Sequence, residues 1–367
     1  MSEEENKETE NKSLDNKKME KVENTTPEKP NLTEESSVDE STKEETPLEI
    51  EFEESPLYLK VEEIKDEIGK KLVGQHVLVE LIIVGLLSDG HILIEGVPGV
   101  AKTYTARLLS AILNASFSRI QFTPDLMPSD VTGTYIYNSS KNDFELKKGP
   151  IFNHIILIDE INRAPAKTQA ALFECMEESQ VSLDGNTHDL PAPFIVLATQ
   201  NPIEHEGTYR LPEAQLDRFL FKLEVDYPDL EEEIMILERT SNNEIKKDLG
   251  DVKRILSIDE LATFKKAVNE IHVEKKILKY IAELVQQTRQ DAQLFLGASP
   301  RASIGILKSS KALAAIKGRK FVTPDDVRLV TYPILSHRII LTPEKEIEGL
   351  KASDIVKQII EKVSIPR

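Results

Sequence analysis

Lys102 and Thr103 stand directly after an aliphatic run and a glycine loop, HILIEGVPGVAKT (91–103). A lysine beside a hydroxyl at the mouth of a helix is suited to holding phosphate and a divalent cation. Backbone N–H groups of such a loop, and of the helix N-terminus, point at an anion, and the helix dipole favours negative charge there. Gly96, Val97, Pro98, Gly99, Val100 and Ala101 supply the loop. Lys102 then reaches the β- and γ-phosphates, and the Thr103 hydroxyl holds Mg²⁺. The strict pattern GxxxxGK[ST] has glycine where this chain has Ala101. A methyl is tolerable there if position 101 already has helical φ/ψ. Taken alone, the stretch also reads as a Gly-Pro turn between an ordinary strand and helix.

Asp159 and Glu160 follow four aliphatics, Ile155 to Ile158. Buried parallel strands present ligands at their carboxyl ends, and an acid there is costly unless it coordinates something. Asp159 fits a Mg²⁺ partner for Thr103, and Glu160 fits a group that polarises the water attacking a γ-phosphate. Asn201 ends the next aliphatic run, in ATQNP, where it could sense the γ-phosphate or simply form an Asn-Pro turn. Arg218, in AQLDRF, reads by itself as a surface ion pair. Arg301 opens a helix in GASPRA, where a cation opposes the dipole. An anion nearby explains that placement, and an Asp or Glu serves as well as a phosphate.

The elements that must position these residues alternate. A helix over 57–72 precedes the apolar helix ending at Leu87, then the loop and its helix to about Asn114. Strands follow at 116–122, within 151–160 and at 194–202, with a helix over about 165–179 and a short helix and strand within 211–225. This is an α/β pattern with a parallel sheet. TGTYIYN and DFELKKG form a hairpin around SSKN, and QVSLDG and HDLPAPF a second around Asp184-Gly185-Asn186. Beyond Tyr227-Pro228 only helical patterns appear, at 230–239, 258–271, 274–291, 301–316 and 324–330.

The net charge is −18, and residues 1–55, with 19 acids and 7 lysines, hold two-thirds of it. That composition cannot bury enough apolar surface to offset chain entropy, so this arm is expected to be disordered. It reads as a solubilising tail, or as an arm for a basic partner. MSEEENKE lacks the features of a signal peptide, and LVELIIVGLL is too short to span a bilayer, so a cytoplasmic protein without an integral membrane segment is expected. The acidity argues against nucleic acid as a partner. The single cysteine, Cys175, shares a helical face with Leu172 and Met176 and reads as a core thiol. The seven histidines show no ligand spacing.

The stretches LVGQ, EGVPGVAKT, TPDLMPSDVTG, ILIDEINRAPAKTQAALFECMEE, QVSLDG, ATQNPIEHEGTYRLPEAQLDRF and GASPRA occur in this order. Together they resemble the MoxR-family AAA+ ATPases, of the helix-two-insert branch related to magnesium-chelatase motor subunits. The resemblance covers roughly 57–340; His205 and Arg210 depart slightly from it, and the acidic arm lies outside it. It implies a P-loop AAA+ parallel-sheet domain over 56–227 and an all-α lid over 228–367. It also implies that Ala before the lysine is normal, that Gly74 and Gln75 lie near the adenine, and that Asn201 is sensor 1. Arg301 becomes sensor 2, reaching the γ-phosphate from the lid. Arg218 becomes an arginine finger for the neighbouring subunit, with Arg163 and Arg210 as weaker candidates. The resemblance further implies ATP and Mg²⁺ as cofactors, a homo-oligomeric ring, probably six-membered in this family, and a von Willebrand A-domain partner. The activity implied is a chaperone-like motor that remodels or matures partners, metal insertion included. Its rivals are a chelatase motor subunit and an ATP-gated scaffold with little turnover; a DNA motor lacks support from the charge.

Overall fold

The computed structural model describes residues 55–97, 99–201, 209, 211–242 and 249–366. The acidic arm, Ser55 excepted, and Pro98, His205 and Arg210 lie outside the described residues. Two helices open the fold, α1 (Pro56–Lys71) and α2 (His76–Leu87). Strand β1 (His91–Gly96) leads into α3 (Lys102–Ile112), and β2 (Phe117–Gln121) into a short α4 (Pro128–Thr132). A hairpin, β3 (Gly133–Asn138) and β4 (Asp143–Lys148), precedes β5 (Ile155–Asp159) and α5 (Ala166–Glu178). A second hairpin, β6 (Gln180–Leu183) and β7 (Asn186–Asp189), precedes β8 (Ile195–Gln200), a four-residue α6 (Glu213–Leu216) and β9 (Phe219–Val225).

The five long strands form one parallel sheet in the order β2-β5-β8-β1-β9. Their aliphatic runs are near-continuous because helices cover both faces, and β5 is buried along its whole length. Ile92 and Ile94 face a core built with α1, α2 and α3, whereas Leu93 faces a second core with Leu172 and Phe173 of α5. Gly96, Gln121, Asp159, Gln200 and Val225 end their strands on one edge of the sheet. His91 and Phe219 pair at the opposite edge, where β1 and β9 begin. The two hairpins touch through the Tyr135 hydroxyl and His188 Nε2, 3.0 Å apart.

The remainder is mostly helical: α7 (Leu230–Ser241), α8 (Ile258–Asn269), α9 (Lys275–Gln290), α10 (Pro300–Ile316), α11 (Pro324–Leu335), α12 (Pro343–Ile347) and α13 (Ala352–Lys362). It is not wholly helical. Strand β10 (Leu294–Leu296) pairs antiparallel with β11 (Ile340–Leu341), two pieces too short for a period to register. Helix α11 runs five residues past the expected Val330, through Pro333. Val330, Ile334 and Leu335 are fully buried, and each contributes about 1.5–3 kcal/mol. That outweighs the roughly 3 kcal/mol of an interior proline. Helix α10 packs on α1, α2, α8, α9 and α11, so one apolar core runs through residues on both sides of position 227, within a single compact unit, Glu51–Arg367. Among the described residues no helix is long and apolar enough to cross a membrane. Cys175 is buried, and desolvation pushes its thiol up to about 12, as suits a core group.

Candidate nucleotide-binding site

The loop after β1 is held close to β9. A Cβ on Gly96 would lie 2.4 Å from the Val225 carbonyl oxygen, so only glycine fits. Gly99 has φ +91°. Ala101 has φ 58° and ψ 20° and caps α3 in the left-handed region. The condition that would have made its methyl free of strain is therefore not met. A left-handed L-residue carries a penalty of roughly 1–2 kcal/mol. Reversing the chain here is what aims the unbonded N–H groups of the first α3 turn at the loop's interior. Lys102 Nζ donates to the Gly96 carbonyl oxygen at 2.6 Å. Desolvation holds its pKa below the usual lysine value, against the opposing pull of Asp159, Glu160 and Glu95.

The sheet brings Asp159 and Glu160 to the same edge. Asp159 is 8 % exposed. Its Oδ2 accepts from Thr103 Oγ1 at 3.5 Å and from Arg119 Nε at 2.6 Å, and its Oδ1 from Thr199 Oγ1 at 3.3 Å. Glu160 leaves the strand in a left-handed conformation, φ 58° and ψ 53°. Its Oε2 accepts from Gln121 Nε2 at 2.7 Å and lies 3.2 Å from Arg163 Nη1. Asn201, half-buried, follows β8 at this edge. Arg119 and Gln121, alternate residues of β2, were not legible as site residues, because nothing local shows which strand lies beside β5. Among the described residues no group of three or more His, Cys, Asp or Glu could hold a metal ion. A divalent cation would take one hydroxyl and one carboxylate here, with phosphate oxygens and water as its remaining ligands. That is the usual donor set for Mg²⁺, and the Thr103–Asp159 approach fits it.

A cavity of about 810 Å³ adjoins the loop, walled by Leu72, Gln75, Val100, Tyr104, Leu329 and Tyr332, among others. Its size and apolar lining suit a base and ribose. Gln75 is left-handed, with φ 58°, and donates from Nε2 to the Val100 carbonyl oxygen at 2.6 Å. Gly74, at φ +70°, lies against α7, where a Cβ would come 2.4 Å from the Glu232 carboxylate.

Arg218 and Arg301 are elsewhere. Arg218 precedes β9, whose first residue pairs with the first of β1 and whose last pairs with Gly96. Seven residues at about 3.3 Å each put Arg218 roughly 20 Å from the phosphate loop of its own chain. Its Nη1 donates to the Phe173 carbonyl oxygen at 2.6 Å and meets Glu177 Oε2 at 2.8 Å. Arg301 Nη2 donates to the other oxygen of the same carboxylate at 2.5 Å, and its Nη1 lies 3.8 Å from Asp217. The anion that justifies a cation at the start of α10 is therefore Glu177. Arg301 does not reach the phosphate loop of its own chain; it shares an edge with Arg218. Arg338, buried between Asp217 and three backbone carbonyls on either side of Arg218, carried no recognisable signal.

Residues 91–221 match the model of the ATPase family associated with various cellular activities (AAA), and residues 286–359 match the AAA lid domain. The chain is 45 % identical to the uncharacterized protein YeaC of Bacillus subtilis, over 82 % of this chain and 93 % of that one. It is 43 % identical to Chaperone MoxR1 of Mycobacterium tuberculosis, covering 82 % and 81 % respectively. A solved structure from Cytophaga hutchinsonii superposes with a TM-score of 0.78 at 44 % identity, covering 85 % of this chain and 96 % of that one. With the two models matching over half the chain, and strand order, loop and acid pair in agreement, this protein belongs to the MoxR family of AAA+ ATPases.

Proposed function

We propose that this protein is a Mg²⁺-dependent ATPase that works as a ring and uses hydrolysis to remodel or mature partner proteins. The observation that carries this reading is the separation of its charged groups. Lys102, Thr103, Asp159 and Glu160 lie at one edge of the sheet, and Arg218 and Arg301 at the other. One copy cannot bring both sets to one phosphate, whereas two copies placed edge to edge can.

ATP seats its base in the cavity beside Gln75 and its phosphates on the loop. Lys102 exchanges the Gly96 carbonyl oxygen for phosphate oxygens. Thr103 and Asp159 hold Mg²⁺, which when bound neutralises charge on the β- and γ-phosphates. Glu160 orients the attacking water and takes up its proton. Gln121 and Arg163 hold the Glu160 carboxylate at the sheet edge. Asn201 senses the γ-phosphate. Arg218, with Arg301, releases Glu177 and meets the charge developing on the neighbour's γ-phosphoryl, a role that in GTPases is worth 10³–10⁵ in rate. Residues 228–367 then shift as a lid against 56–227 and carry the two hairpins, which act on the partner. A von Willebrand A-domain protein, or an enzyme awaiting its metal, suits that role; the chaperone name of the 43 %-identical relative supports it.

The test is ATPase rate against protein concentration, with assembly size read in the same samples. Glu160→Gln is expected to bind ATP and to hydrolyse it 10²–10⁴-fold more slowly. Arg218→Ala is expected to bind ATP, assemble and lose turnover. Activity that is independent of assembly and of Arg218 overturns the reading.

A further inference from the structure

Arg338 follows α11 and its side chain is only 4 % exposed. A guanidinium has five N–H groups, and five hydrogen bonds leave it. Nε donates to Asp217 Oδ1 at 2.7 Å. Nη1 donates to the carbonyl oxygens of Leu220 at 3.0 Å and Ile334 at 2.6 Å. Nη2 donates to those of Asp217 at 3.1 Å and Phe219 at 2.5 Å. Three of these carbonyls bracket Arg218. Asp217 also accepts from Ser299 Oγ at 3.2 Å, at the start of the helix that carries Arg301.

The other end of this connection is the nucleotide cavity. Leu329, Tyr332 and Pro333 of α11 line it, and Pro333 is five residues before Arg338. A single helix therefore walls a subunit's own nucleotide and grips the backbone around the arginine offered to the next subunit. Stability alone does not account for the grip, since apolar residues of similar volume often replace a buried ion pair without loss. A planar fork that uses every donor fixes the position and angle of the segment it holds.

We propose that Arg338 is a positioning residue: it ties Arg218 to α11, so that nucleotide occupancy in one subunit sets how the arginine is presented to its neighbour. This rests on reading Arg218 as a finger acting across a subunit boundary. Arg338→Lys keeps the charge on Asp217 and removes most of the fork. Asp217→Asn keeps the shape and removes the ion pair, and serves if Arg338→Lys does not fold. Both are expected to assemble, to bind a fluorescent ATP analogue within about threefold of wild type, and to lose at least tenfold in turnover. The dependence of rate on ATP is expected to change from sigmoidal in wild type to hyperbolic.

The deciding measurement uses mixed assemblies. A Glu160→Gln subunit has a dead site and an intact finger. Mixing it in excess with Arg338→Lys is expected to restore turnover per Arg338→Lys subunit to at least half of the wild-type value, because the neighbour now supplies a well-held arginine. Arg218→Ala subunits, mixed the same way, are the reference. If Arg218→Ala is neither impaired nor rescued, the finger reading fails. If Arg218→Ala is rescued while Arg338→Lys and Asp217→Asn keep wild-type turnover, or lose it without rescue, the proposal for Arg338 is overturned. A hyperbolic ATP dependence in wild type overturns the coupling to occupancy.

Discussion

Replacing Ala101 with glycine tests the backbone of the phosphate loop by the sign of one number. At φ 58° the alanine methyl is strained, and its removal releases roughly 1–2 kcal/mol. Glycine returns about 0.4–1 kcal/mol of this through the greater freedom of its unfolded chain. The methyl is half-buried against the core, so losing it costs about 0.4 kcal/mol, half the value of a fully buried carbon. Mid-range values leave Ala101→Gly more stable by about 0.4 kcal/mol. Were residue 101 right-handed, glycine would cost about 1 kcal/mol in helix propensity and the same methyl burial, a loss of about 1.4 kcal/mol. Urea unfolding of both proteins, with equal m-values, separates the two signs. A destabilisation of 1 kcal/mol or more refutes the left-handed assignment. ATP affinity is expected to stay within about twofold, because the strain is released equally in the free and bound states.

Three further outcomes follow from particular contacts. His91 Nε2 lies 3.0 Å from the Met176 carbonyl oxygen and its Nδ1 accepts from Val196 N–H, which requires a neutral ring; burial lowers its pKa to about 4. The unfolded ring protonates below about 6.5 and the native ring only near 4, so between those values the unfolded state binds more protons and stability falls as pH is lowered. The loss is expected to reach about 3 kcal/mol, and His91→Gln is expected to flatten the slope of unfolding free energy against pH over that interval. Gly96→Ala drives a Cβ against the Val225 carbonyl oxygen, so equilibrium dialysis is expected to show ATP binding at least tenfold weaker. Arg119→Met removes the cation on Asp159; for a half-exposed pair worth up to about 1 kcal/mol, Mn²⁺ binding without nucleotide, read by electron paramagnetic resonance, is expected to tighten about two- to fivefold.

What could be read beforehand was local. Runs such as IILID and IVLAT predict buried strands because four adjacent aliphatics need cover on both faces, and the Asp184-Gly185 turn announces its hairpin because turn chemistry is confined to two residues. The acids after β5 were legible by the same rule, since a strand's end is where charge can emerge. Partners set by register between distant strands were not. Arg119 meets Asp159 only because β2 lies beside β5, and that adjacency is written nowhere in β2. The position of Arg301 depended on where α10 docks relative to α5, and an isolated helix start says only that an anion is near. Ala101 was misjudged for a different reason: a side chain tolerated at small cost leaves no trace of the backbone angle that imposes the cost.

The two edges of the sheet give the molecule a direction. A chain with its loop at one side and its arginines at the other joins copies head to tail, and such contacts either close or continue without end. In an open row the last copy has a loop that receives no arginine, and the first has an arginine with nowhere to go. Only closure gives every copy a complete site. The final contact therefore gains more than any before it, and dilution is expected to remove activity abruptly, at the concentration where rings open, while shorter rows still persist.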